Sequence, residues 1–252
     1  MSIAEKLVTV AESMQGVYDK GFADGQSQGS DSWYDTFWDT FQQNGNRQNY
    51  TNAFVSGNAN QHSVGWTNAN FKPKYSFDNI VGYAMFDYSM IEGSLSEILN
   101  DLGLTLTFKG YQSSGFQSTQ FTEINYINNE MSSMVKVFLN SNKLKTLKVG
   151  KITTNTKFQN TFDGCSALED LTLEGVICQN GFDVSQSPLL TKASIENVLS
   201  CLSTTTSGLT VTLSLVAVNK AFETSTDALN GSTSDEWNTL IAKHTNWTIS
   251  LV

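Results

Sequence analysis

Phe162-Asp163-Gly164-Cys165-Ser166-Ala167-Leu168-Glu169-Asp170-Leu171-Thr172-Leu173 repeats, 24 residues on, the pattern of Phe138-Leu139-Asn140-Ser141-Asn142-Lys143-Leu144-Lys145-Thr146-Leu147-Lys148-Val149. Phe138 matches Phe162, Leu144 matches Leu168, Leu147 matches Leu171 and Val149 matches Leu173. A period in the twenties marks a chain whose units bury their apolar sides by stacking on one another. The last two apolar residues of each motif lie two apart, so both point to one side of a short extended segment. The first lies three residues earlier and fills the turn entering that segment. Lys148 and Thr172 fall between and face outward.

Two weaker copies precede the clear pair. Phe121, Ile124 and Tyr126 lie 23 residues before Leu144, Leu147 and Val149, and Phe116 lies 22 before Phe138. A further start falls at Phe86, and Leu95 to Gly103 reads as a short helix inserted in that first unit, with a glycine stop. Downstream, Ala193 to Leu202 has helical spacing, with Ile195, Val198, Leu199 and Leu202 on one side. Leu209 to Leu213 and Trp247 to Leu251 alternate apolar and polar, as strands do, and the second is expected to close the chain beside the first. Ser234-Asp235-Glu236-Trp237 is a helix start, with acids where the helix dipole favours them.

The flanks differ in kind. Ile3, Leu7, Val10, Met14 and Val17 are spaced 4, 3, 4, 3, an a/d seam over two heptads, and Ser2 with Glu5 forms a capping box. Such a helix suits self-association, as a trimer, or docking into a larger particle; packing on its own domain is the other reading. Residues 21–32 are rich in Gly, Gln, Ser and Asp and read as a flexible linker. Trp33, Phe37 and Phe41 make one apolar helical stripe, suited to covering the end of a repeat stack; a sugar-stacking platform is the other reading. Asn44 to Asn70 is Asn-rich, with Trp66 and Phe71 as anchors. The chain thus divides into an N-terminal helix (1–20), a linker (21–32), an aromatic capping region (33–80), repeats (81–184) and a C-terminal cap (185–252).

Composition limits function. The net charge of −9 argues against binding phosphate backbones, and no segment is long and apolar enough for membrane insertion. No basic start with an apolar block opens the chain, so no secretory signal is expected. Cys165, Cys178 and Cys201 form no CxxC pair and read as buried thiols. His62 and His244 are isolated, and no G-x-S-x-G, H-E-x-x-H or P-loop occurs. Asp163, Glu169 and Asp170 near a repeat turn, and Asp35 with Asp39, read as solvated charges. No cofactor, metal or catalytic residue is expected.

The motif Phe, then Cys-Ser, then L-x-x-L-x-L resembles the BspA-like class of leucine-rich repeats, over about Val81 to Val184. The resemblance implies an α/β repeat fold: a short leucine-rich-repeat solenoid with one small β-sheet ladder, a coiled-coil-like N-terminal helix and an α/β C-terminal cap. The opening Met1-Ser2-Ile3-Ala4-Glu5-Lys6-Leu7, the segment Phe37 to Arg47 and the closing Thr206 to Leu213 and Asn246 to Leu251 resemble leucine-rich-repeat proteins among virion genes of phages and prophages of gut bacteria. This implies a non-enzymatic tail, baseplate or fibre-type protein, assembled in the host cytoplasm into the virion. Its partners would be itself, other virion proteins and a host surface protein or glycan. The outward positions Thr122, Asn125, Lys145, Lys148, Asp170 and Thr172 would form the ligand face. A purely structural decoration or scaffold protein, a bacterial surface adhesin and a glycan hydrolase are the alternatives.

Overall fold

A computed structural model describes residues 66–69, 71–73, 76–80, 84–109, 115–129, 131–223 and 234–252. The heptad seam Ile3, Leu7, Val10, Met14 and Val17, the linker, the aromatic stripe Trp33 to Phe41 and His62 lie outside the described residues. The chain divides into two compact units: Met1–Arg47 with Ala69–Lys72, and Gln48–Asn68 with Pro73–Val252. The second holds every strand among the described residues.

That unit is mixed α/β, and its strands pair only in parallel among the described residues. In chain order it contains β1 (Phe77–Ile80), β2 (Glu92–Ser94), α1 (Leu95–Asp101), β3 (Leu106–Phe108), β4 (Gln120–Ile127), β5 (Thr146–Ile152), β6 (Asp170–Gly175) and β7 (Phe182–Val184). Then come α2 (Lys192–Ser200), β8 (Leu209–Leu213), α3 (Leu215–Phe222), α4 (Asp235–Ile241), a 3-10 turn (Ala242–His244) and β9 (Trp247–Leu251). Each helix begins on a hydroxyl that accepts a backbone N–H three residues on: Ser94 from Glu97, Thr191 from Ser194, Ser214 from Ala217 and Ser234 from Trp237.

Among the described residues the expected single ladder is corrected to three sheets: β2-β4-β5-β6, β7-β8-β9 and the pair β1-β3. The first carries the repeat. Its register places Ile124 beside Leu147 and Leu147 beside Leu171; Tyr126 meets Val149, which meets Leu173. All six are buried. The offsets of 23 and 24 read from the sequence are therefore the spatial register of the sheet. A one-residue slip would turn these side chains to solvent.

The phenylalanine that opens each copy stacks on the next. Phe86 and Phe116 rings lie 5.2 Å apart and 14° from parallel; Phe116 and Phe138, 5.7 Å and 23°; Phe138 and Phe162, 6.2 Å and 11°. The backbone repeats with them. Phe86 N–H donates to Gly115 C=O, Phe116 N–H to Val137 C=O and Phe138 N–H to Thr161 C=O. Two residues after each phenylalanine the chain turns left-handed, at Tyr88, Ser118, Asn140 and Gly164. At Gly164 a β-carbon would lie 2.6 Å from Asn140 Oδ1 and 3.0 Å from its Cα, so glycine here serves both the turn and the close approach of the copy before it.

Three residues after each phenylalanine stands a fully buried small polar residue: Ser89, Thr119, Ser141 and Cys165. Ser141 Oγ donates to Phe116 C=O at 2.6 Å, and Cys165 Sγ to Phe138 C=O at 3.2 Å. In the two clear copies this residue is thus a tie from the turn to its predecessor. Thr119, in the degenerate copy, has no partner for its buried hydroxyl among the described residues.

A fifth turn starts without being legible as a repeat. Val184, Ser187 and Leu190 fall 22 residues after Phe162, Cys165 and Leu168 and are buried like them. Ser187 Oγ reaches Cys165 C=O, and Thr191 N–H donates to Glu169 C=O. Where the next strand would follow, α2 stands instead.

Candidate functional site

The outward side of the four-stranded sheet carries two cross-strand rows. Asn125, Lys148 and Thr172 are register partners and all are exposed. Glu123, Thr146 and Asp170 form the second row. The structure therefore brings together four of the six expected face residues and adds Glu123 and Thr146. Those two follow from the same offset as Asp170, and the repeat spacing alone could have found them.

Thr122 and Lys145 sit elsewhere, one residue before these rows. Thr122 is half-buried, and its carbonyl accepts from Lys145 N–H; Lys145 C=O in turn accepts from Glu169 and Asp170 N–H. Their backbones stitch consecutive copies together, while the Lys145 side chain is exposed.

The rows are mixed in charge. Lys148 Nζ pairs with Glu174 at 2.7 Å, both side chains about half exposed. Asp170 Oδ1 accepts from the Thr191 hydroxyl at 3.2 Å. No aromatic side chain belongs to either row: Tyr126 and Phe121 turn inward and are buried.

Both edges of this sheet are closed by asparagine side chains. Asn197, on α2, accepts from Leu173 N–H at 2.6 Å and donates to Leu173 C=O at 3.3 Å. Beside it Ser194 Oγ accepts from Leu171 N–H and donates to Glu169 C=O. At the opposite edge Asn68 accepts from Glu92 N–H at 2.8 Å and donates to Glu92 C=O at 2.7 Å. In each pair the partners lie 24 residues apart, one repeat length, so an amide stands where the next strand's backbone would be.

Burial pushes the Cys165 thiol up to about 12, and it raises Cys201 and Tyr126 as well; the Asn128 side chain partly offsets the shift at Tyr126. His244, in the 3-10 turn, is held below its ordinary value by burial and by Lys243. Among the described residues no three His, Cys, Asp or Glu side chains gather as metal ligands do, and no helix is long and apolar enough to cross a membrane. The chain matches no family model, no curated protein and no solved structure.

Proposed function

We propose that this chain is a short leucine-rich-repeat solenoid of a phage virion, a tail, baseplate or fibre-type appendage protein whose sheet face attaches to the host surface without catalysis. The observation that carries the reading is the pair of in-register outward rows, Asn125-Lys148-Thr172 and Glu123-Thr146-Asp170. A parallel ladder holds side chains at fixed spacing on a backbone pinned by hydrogen bonds, so the face is preorganised for a partner. The rows offer hydrogen-bonding groups and charges of both signs, and no ring on which a sugar could stack. A host surface protein fits them better than a glycan. The phage assignment itself rests on the resemblance of the repeat and of the flanking segments.

The test is retention of purified protein on isolated host envelopes, beside a search for it in purified virions by mass spectrometry. Binding that saturates, and that protease treatment of the envelopes abolishes, supports the reading. Presence in virions with no envelope binding leaves a decoration or scaffold role. Absence from virions removes the appendage role altogether.

A further inference from the structure

We infer that the free edge of β9 is a docking strand for a second copy of this chain, paired antiparallel about Ile249. Among the described residues the sheet order β7-β8-β9 leaves one side of β9 without a neighbouring strand. Gly208 N–H donates to Asn246 C=O, Val252 N–H to Leu213 C=O and Leu215 N–H to Val252 C=O, so Asn246 and Val252 turn their backbones toward β8. Alternation along a strand gives Thr248 and Ser250 the same direction. The N–H and C=O groups of Trp247, Ile249 and Leu251 therefore point to the other side, where no described residue bonds them.

This edge contrasts with those of the repeat sheet. There Asn68 and Asn197 occupy the backbone groups of the outer strands. Proteins blunt exposed edges with such covers, or with lysine, proline or a bulge. From Thr245 to Val252 the sequence Thr-Asn-Trp-Thr-Ile-Ser-Leu-Val has none of these. Leu215 N–H on Val252 C=O brings the first turn of α3 alongside, with Val216 60% exposed beside Val252 at 70%.

The strand is complementary to itself. In an antiparallel pair centred on Ile249, each Ile249 faces its counterpart, Trp247 faces Leu251 and Thr248 faces Ser250. The groups free on the edge are those such a register uses, giving about six backbone hydrogen bonds. Apolar residues meet apolar, hydroxyls meet hydroxyls, and a slip by one residue breaks both matches. Copies bearing −9 each repel, and they can approach along a strand that carries no charge. A two-fold pairing of this kind is isologous and closes at two copies.

The test is sedimentation equilibrium of the full chain with T248K/S250K, which sets lysine against lysine across the axis at an exposed and a half-buried position, with folding checked by circular dichroism. The variant is expected to show half the wild-type mass, whatever state residues 1–20 impose on both. T248E/S250E should do the same, and an equimolar mixture of the two should regain the full mass. Equal masses for wild type and folded variants overturn the proposal. If the double variants lose the wild-type spectrum, hydrogen exchange of the wild-type chain decides. Protection of residues 247–251 must rise with protein concentration, and protection that is constant overturns the proposal. So does protection that appears only when a foreign peptide is added.

Discussion

Asn197 gives Leu173 both hydrogen bonds that a neighbouring strand would have given it, accepting from its N–H at 2.6 Å and donating to its C=O at 3.3 Å. A helix thereby ends a parallel sheet, its side chains standing in for the missing strand at Leu171 N–H and at both backbone groups of Leu173. Replacing Asn197 by alanine strands the part-buried Leu173 N–H and leaves its C=O with only the Cys201 thiol, at 3.5 Å. The expected loss is about 1–3 kcal/mol, read as a lower urea midpoint. The N197D variant keeps the acceptor and should fall between alanine and wild type. Asn68→Ala, at the more exposed opposite edge, should cost less, because water can replace the amide there.

Gly164 is the residue of its turn least open to change. Its φ is +74°, and a β-carbon would collide with the backbone and side chain of Asn140 in the copy before it. Gly164→Ala is expected to cost about 1–3 kcal/mol through strain at that dihedral and displacement of Asn140. Ser118→Gly, at the equivalent left-handed position, should be neutral or mildly stabilising. Thermal melts of the two variants check the contrast.

The inward ladder and the degenerate copy predict opposite signs. Leu171→Ala removes a buried side chain at the end of the Ile124-Leu147-Leu171 column, beneath α2, and should cost about 2–5 kcal/mol. Thr119→Val keeps the shape of a buried side chain and removes a hydroxyl that has no partner among the described residues. It should gain up to about 1 kcal/mol. Urea titrations of both, compared with wild type, decide it; a destabilised T119V would mean that this hydroxyl is satisfied after all.

Alkaline pH should unfold this chain early. Cys165 and Tyr126 are raised by burial from ordinary values of 9.0 and 10.0, and Cys201 moves the same way. A folded state that holds these protons more tightly has its full stability below the unfolded values. It loses that stability as pH climbs past 9, where the unfolded chain releases protons that the folded chain keeps. The urea midpoint should therefore fall steadily above about pH 9, and less steeply in Cys165→Ala. A thiol reagent should modify half-buried Cys178 in the native state and reach Cys165 only on unfolding.

The sequence made the repeat sheet legible because its register is a matter of period. Once Leu147 aligns with Leu171 at 24 residues, cross-strand pairing follows, and with it the outward row of Lys148 and Thr172. Ser234 as a helix cap and the pairing of Leu209–Leu213 with Trp247–Leu251 were legible for similar local reasons. What was not legible depends on substitution of one kind of element for another. The fifth turn has Val184 for phenylalanine and a helix for its strand, so no period continues through it. Asn68 and Asn197 read as ordinary loop and helix residues until the strand beside each is known. The left-handed positions hide because Tyr88 and Ser118 do not advertise them as glycine does. Phe182–Val184 reads as the tail of the repeats, yet pairs forward with β8.

Binding and stability should separate cleanly on the outward face. Lys148 and Glu174 form an exposed ion pair, and such pairs contribute about 0–1 kcal/mol. Asn125 and Thr172, its neighbours in the row, are exposed as well. The triple variant N125A/K148A/T172A should therefore keep the wild-type midpoint to within about 1 kcal/mol. If this row contacts the host surface, the same variant should bind envelopes at least about tenfold more weakly, the loss expected when a central contact is truncated. Lys148→Glu alone sets like charge against Glu174 and should weaken binding more at low salt than at high, since the effect is screened. A triple variant that binds as tightly as wild type would remove this row from the contact and leave Glu123, Thr146 and Asp170 to be tested in its place.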